Sequence, residues 1–325
     1  MLLLKKDVLR ALSLIEAPVF VPGVVEDVSR FVRWEGGAFH PPAVNTELPP
    51  KDMLFPATQK MYAYHMGANP SITEYHEAEP RVIFGIRPCD VKSIERMDRV
   101  FLDDAPDTLY AARREHTTLV ALACDAPGKN CFCDSLGGSP SSAPGADMLL
   151  VEAGEAYGLR AQSDKGKALL ALWEPLLQDG EAKAPQAVCA LQLPKMEALA
   201  DKLGGMFEDP IFAELSAACL GCGTCTYVCP SCYCFDLGDE TRGAEGVKFR
   251  CWDSCMFSDY TRMAGGADPR PTKKERLRNR YLHKFCYFHQ QHGESLCVGC
   301  GRCIDKCPAN LDITDLAFRL GGDGA

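Results

Sequence analysis

Two runs of cysteine share one spacing: Cys219, Cys222, Cys225 and Cys229 ahead of Pro230, and Cys297, Cys300, Cys303 and Cys307 ahead of Pro308. Three thiolates, each three positions from the next, reach three corners of a cubic [4Fe-4S] cluster from one tight loop, and the fourth ligand comes from further away. Where a chain carries two such runs, the fourth cysteine of each ligates the other cluster. The spacing therefore predicts one cluster on Cys219, Cys222, Cys225 and Cys307, and a second on Cys297, Cys300, Cys303 and Cys229. Glycines between the ligands, such as Gly221 and Gly299, let the backbone turn tightly and approach the sulfides. A zinc knuckle instead sets pairs of cysteines across a longer loop, so zinc is the weaker reading.

A second constellation is dispersed. Cys89, Cys124, Cys131 and Cys133 each lie just past an expected strand or in the loop that follows it. Four thiolates suffice for a third [4Fe-4S] cluster. Zinc, a redox thiol pair or plain burial of cysteine as a small apolar residue are the alternatives. The pair Cys131-Phe132-Cys133 in a polar loop fits burial poorly. Cys232, Cys234, Cys251 and Cys255 either bind a further metal or pack around the neighbouring cluster, and Cys189 and Cys286 read as core residues.

The elements that position these thiols divide the chain. An α/β domain is expected over residues 1–183: a helix from Lys5 to Ile15, strands over Val28–Trp34, Arg81–Ile86, Thr117–Ala123, Ala146–Glu152 and Tyr157–Ala161, and helices over Val91–Phe101 and Lys165–Leu177. Asp90 is the expected cap of the helix after Arg81–Ile86. Pro127–Gly145 reads as an irregular loop. A mainly helical C-terminal domain, 184–325, is expected to carry a dicluster ferredoxin-like module whose halves are separated by a long insertion, 231–295. Within that insertion Thr272–Gln291 reads as a charged helix, and its Lys273, Lys274, Arg276, Arg278, Arg280 and Lys284 as a basic face, solvated or docked on an acidic partner.

Composition narrows the function. A net charge of −9 disfavours nucleic acid as the partner. No run of about 18 apolar residues marks a membrane span, and eighteen cysteines without a recognisable secretory signal favour a reducing, cytoplasmic setting over a disulfide framework. The seven histidines show no metal-binding spacing; His289 and His292 read as surface or structural. Neither a dinucleotide fingerprint, a phosphate-binding P-loop nor a Gly-x-Ser-x-Gly elbow is present, and no catalytic residue is assigned.

Taken together, Phe84-Gly-Ile-Arg-Pro-Cys-Asp90, Cys131-Phe-Cys133, Cys229-Pro-Ser-Cys-Tyr-Cys-Phe-Asp236, Trp252-Asp-Ser-Cys255, His283-Lys-Phe285 and both cluster motifs make the chain resemble the iron–sulfur β subunits of sulfhydrogenase-type [NiFe] hydrogenases and the related iron–sulfur subunit of anaerobic sulfite reductase. The resemblance covers nearly the whole chain; Cys251 departs from it, standing where a basic residue is expected. It implies a non-catalytic subunit of an anaerobic oxidoreductase complex that relays electrons through its clusters. The implied partners are an FAD-containing NAD(P)H-oxidoreductase subunit, together with a hydrogenase, sulfite reductase or heterodisulfide-reductase-like subunit. The competing expectation is a freely diffusing dicluster carrier.

Overall fold

The computed structural model describes residues 1–42, 44–75 and 79–321; the expected 184–325 segment thus ends outside the described residues. Among these, twelve strands form two sheets: β1 (Leu2–Leu4), β2 (Val19–Val25), β3 (Val28–Arg33), β4 (Thr58–His65), β5 (Ser71–Glu74), β6 (Arg81–Ile86), β7 (Thr117–Leu122), β8 (Met148–Ala153), β9 (Ala156–Ala161), β10 (Leu177–Gln178), β11 (Phe235–Arg242) and β12 (Glu245–Trp252). The larger sheet has the order β10-β1-β9-β8-β7-β6-β2-β3. Its middle, β8-β7-β6-β2, is parallel, and the flanking strands are antiparallel.

The parallel strands are near-continuous apolar runs because both their faces are covered. Val82, Phe84, Val120, Leu122, Met148 and Leu150 pack on one side against helices Val8–Ser13 and Asp164–Trp173. Ile83, Ile86, Leu119, Ala121, Leu149 and Val151 pack on the other against helices Pro88–Phe101 and Thr108–Glu115. Ile83 and Ile86 share a face although three positions apart, because Gly85 bulges out of register at a φ of 84°. The strand therefore delivers Arg87-Pro88-Cys89 past its C-terminal edge, beside the residues that leave β7 at Cys124.

The smaller sheet, β11-β12-β4-β5, corrects the expectation of a mainly helical C-terminal domain. β12 pairs antiparallel with β4 from the N-terminal half, so the insertion returns a hairpin to the first part of the chain. Phe235 and Trp252 join Phe55 there in an aromatic group. The helices of the C-terminal part are short. The longest continuous run begins at a capping box on Thr272 and Glu275, follows Lys273–Leu282, passes through one π-helical turn at His283–Tyr287 and ends with Phe288–His292. Leu277, Tyr281 and Phe285 of that run meet Leu199, Leu203 and Phe212 in a separate core.

Asp90 does not cap its helix. The helix starts at Pro88, whose lack of an N–H suits the first turn, with Arg87 as the N-cap. The Asp90 carboxylate is instead 1% exposed and accepts two hydrogen bonds from Arg302, itself 2% exposed, at 2.6 and 2.8 Å. A second tie joins Arg96 of the same helix to Glu294. No helix among the described residues is long and apolar enough to cross a membrane. Leaving one member of a buried pair alone costs about 3–5 kcal/mol, whereas removing both with apolar groups costs much less. Asp90→Leu is expected to lower unfolding stability by that amount in anaerobic denaturant titrations, and Asp90→Leu with Arg302→Met to lose less than the single variant.

Candidate metal centres

The first set forms around a turn. Helix Thr224–Tyr227 begins at Gly223, held at a φ of 75°, and carries Cys225, while Cys219 and Cys222 precede it in the loop. Cys219, Cys222, Cys225, Cys303 and Cys307 line one cavity together with Arg280, and Met256, Leu277, Tyr281 and Ile313 are its apolar walls. Two backbone amides already point at sulfur: Gly221 N–H donates to Cys219 Sγ at 3.4 Å and Leu311 N–H to Cys307 Sγ at 3.2 Å. Cys222 is exposed and Leu220 beside it is 68% exposed, so this cavity reaches the surface.

The second set is enclosed. Cys229, Cys297 and Cys300 are buried and Cys303 nearly so. Burial pushes the Cys303 thiol well up; Arg280 pulls against it, and Cys297, Cys300 and Cys229 push it further. Cys229 is held well below an ordinary thiol, first by a hydrogen bond from Cys232 and then by Lys284, Arg280 and Lys51. These cations were the residues least visible in advance. The stretch read as a basic face is largely inward: Arg276, Arg278, Arg280 and Lys284 are all buried.

The dispersed cysteines also converge. Cys89, Cys124, Cys131 and Cys133 line one cavity together with Gly299 and Cys300 of the second motif. Cys189, read from sequence as a core residue, lies with its Sγ 3.6 Å from that of Cys133, and its amide bonds Asp134. Only the chain path from the loop after helical residues 174–176 brings it there; no spacing announces it. Burial pushes the Cys131 thiol up to about 12 and raises Cys89 well above its usual range, Asp90 adding to the latter. The loop is seated on the second motif by direct backbone contact. Phe132 N–H donates to Gly299 O at 2.9 Å, Asn45 Nδ2 donates to Cys300 O at 3.0 Å, and a Cβ on Gly299 would stand 2.5 Å from the Phe132 carbonyl carbon.

Of the remaining cysteines, Cys232, Cys234 and Cys255 are brought together. Cys234 is lowered to about 6, first by a hydrogen bond from Cys255 and then with help from Tyr260. Cys251 sits on β12 opposite Asp236 and Thr58. Cys286 is fully buried, as expected of a core residue. His283, from the His-Lys-Phe motif, lies 3.0 Å from the Tyr233 hydroxyl and burial pulls it down to about 4.

A cubic iron–sulfur cluster requires soft thiolate donors, a backbone that turns closely around it and countercharge for its anionic shell. The two motif-borne sets supply all three: four thiols each, glycine-permitted turns, and buried cations beside them. These features define an iron–sulfur protein, and residues 218–311 match the family model of a 4Fe-4S dicluster domain. The chain is 33% identical over 279 residues, 82% of its own length and 81% of the relative's, to "Sulfhydrogenase 2 subunit beta" of Pyrococcus furiosus. It belongs to the sulfhydrogenase β-subunit family. No solved structure matches it. Gly299, at a φ of 64°, cannot take a side chain without strain or without parting the two backbones. Gly299→Ala is therefore expected to lower unfolding stability by about 1 kcal/mol or more in anaerobic denaturant titrations, while Gly265→Ala, which meets open space, leaves it unchanged.

Proposed function

We propose that the chain is an electron-transfer subunit that relays electrons through [4Fe-4S] clusters between a catalytic subunit, either a hydrogenase, a sulfite reductase or a heterodisulfide-reductase-like protein, and an FAD-containing NAD(P)H-oxidoreductase subunit. A cytoplasmic complex is its setting. The observation that carries the reading is the adjacency of three cysteine sets: the second motif borders the Cys89 set through Gly299 and Cys300, and the first cavity through Cys303. The relative's name, a sulfhydrogenase subunit, supports a multisubunit setting. The flavoprotein partner rests on the family resemblance alone.

When bound, the clusters supply one-electron transfer without any bond being made or broken. The chain's own residues hold and order the sites. Cys219, Cys222, Cys225 and Cys307 are assigned to one, Cys297, Cys300, Cys303 and Cys229 to another, and Cys89, Cys124, Cys131 and Cys133 to a third. Met256, Leu277 and Ile313 exclude water from the first, and the exposed Leu220-Gly221-Cys222 turn faces outward where a partner can approach. Residues 1–183 carry the third set and 184–325 the twin motifs; the insertion 231–295 ties the two parts through β11 and β12.

Anaerobically purified protein is expected to hold about twelve irons with matching sulfide, four per cubane. Cys131→Ser with Cys133→Ser should remove about four of them and leave the twin-motif signals in the electron paramagnetic resonance spectrum. A wild-type count of about eight would remove the third site from the proposal, and a colourless protein without labile sulfide would remove all of it. Affinity purification from the native host should bring down a flavoprotein; a stable lone monomer that exchanges electrons with unrelated reductases would favour a mobile carrier.

A further inference from the structure

Several buried cations in this fold are matched by a carboxylate. Arg302 faces Asp90, Arg96 faces Glu294 and Arg250 faces Asp107. Lys51, Arg280 and Lys284 are as deeply buried, at 3%, 5% and 2% exposure, and the groups they contact are neutral groups and sulfur. Lys51 Nζ donates to Cys232 O at 3.0 Å and Thr226 O at 3.3 Å, and stands 4.2 Å from the Trp252 ring. Lys284 Nζ donates to Ser231 Oγ at 2.9 Å and Ser231 O at 3.3 Å. Arg280 Nη1 lies 3.8 Å from Cys232 Sγ. The three come from different places, Lys51 from the helical turn Pro50–Met53 and the others from the 273–292 helical run, yet all converge on Cys229.

An uncompensated charge in such a setting is strongly unfavourable, so three of one sign around one cysteine call for an anion of matching size. A cubane with four thiolates is such an anion. Reduction adds one electron, makes and breaks no bond, and leaves the cluster more negative by one unit. Fixed positive charge beside it therefore favours the reduced form. On the assignment of Cys229, Cys297, Cys300 and Cys303 to one cluster, we propose that Lys51 and Lys284, together with Arg280, which the first cavity shares, are its built-in countercharge and favour its reduced form. Beside the Cys89 set the charge is arranged differently: Arg302 is paired with Asp90, while Arg87, which also lines that cavity, donates to the Ala123 and Pro42 carbonyls.

The test is a redox titration of the full chain, monitored by electron paramagnetic resonance with dithionite as electron donor, alongside iron and sulfide counts. In Lys284→Met and Lys51→Met, one cluster's reduction equilibrium constant should fall at least about tenfold, or about 59 mV for one electron, with iron unchanged. Lys284→Arg, which keeps the charge, should stay within about threefold of wild type, as should Lys167→Met on an exposed helix. Iron-replete Lys284→Met and Lys51→Met proteins whose clusters all titrate like wild type would overturn the proposal. If Lys284→Met sheds about four irons and Lys284→Arg retains them, charge is required to hold the cluster and the proposal stands; if both shed them, shape rather than charge is at work and it falls. Failure of the underlying assignment is seen separately, as a wild-type protein that lacks the cluster.

Discussion

The buried pair of Arg302 and Asp90 is the constraint on which the rest of the arrangement depends. Asp90 follows Cys89 directly, and Arg302 lies between Cys300 and Cys303, so one bidentate contact fixes the dispersed cysteines against the second motif. Burial draws the Arg302 guanidinium down, but Asp90 outweighs it and holds it above its usual range. Separating the two halves of the chain would strand both charges away from water. Weaker contacts act in the same direction: Arg302 Nε donates to Thr46 O at 2.6 Å, and Asn130 Nδ2 donates to Asp305 Oδ1 at 2.6 Å. The insertion hairpin adds a backbone ladder between β12 and β4. The twin motifs are thus built into the α/β layers.

Charge is handled differently at each set. The first opens to solvent at Cys222, and the buried Arg280 lines its wall. The Cys89 set lies beside the Arg302–Asp90 ion pair, with the buried Arg87 also lining its cavity. Around Cys229, Lys284 remains raised although burial opposes it, because Cys229 and Cys232 outweigh desolvation, whereas burial dominates at Lys51 and lowers it. Each also faces a like charge, Lys284 that of Arg280 and Lys51 that of Lys284.

Much of the local structure was legible because it depends on neighbours along the chain. The parallel strands β6 and β7 were apparent as apolar runs, and the 273–292 helical run as a charged helix over Thr272–Gln291. β1, β2, β4, β5, β10, β11 and β12 were missed. β2 carries Pro22 and Gly23, and β4 and β12 are polar strands whose alternation is weak; each is a strand because of what it pairs with. The inward turn of Arg276, Arg278 and Arg280 was hidden for a related reason. A basic stretch looks the same from its sequence whether it meets water or a thiolate shell, and only packing tells them apart.

The sequence by itself determined the chemistry of the twin motifs. Three evenly spaced thiols and a following Cys-Pro constrain one short loop, and loop geometry is a property of local chain length. It also marked Cys89, Cys124, Cys131 and Cys133 as a group, through their places at strand ends. Only the tertiary structure decided that these four share a cavity, that Cys189 lies against them, that Asp90 turns from its helix to Arg302, and that three cations without carboxylates meet at Cys229. Those relations join residues far apart in the chain, and such contacts are selected by the burial of charge and apolar surface in the folded whole.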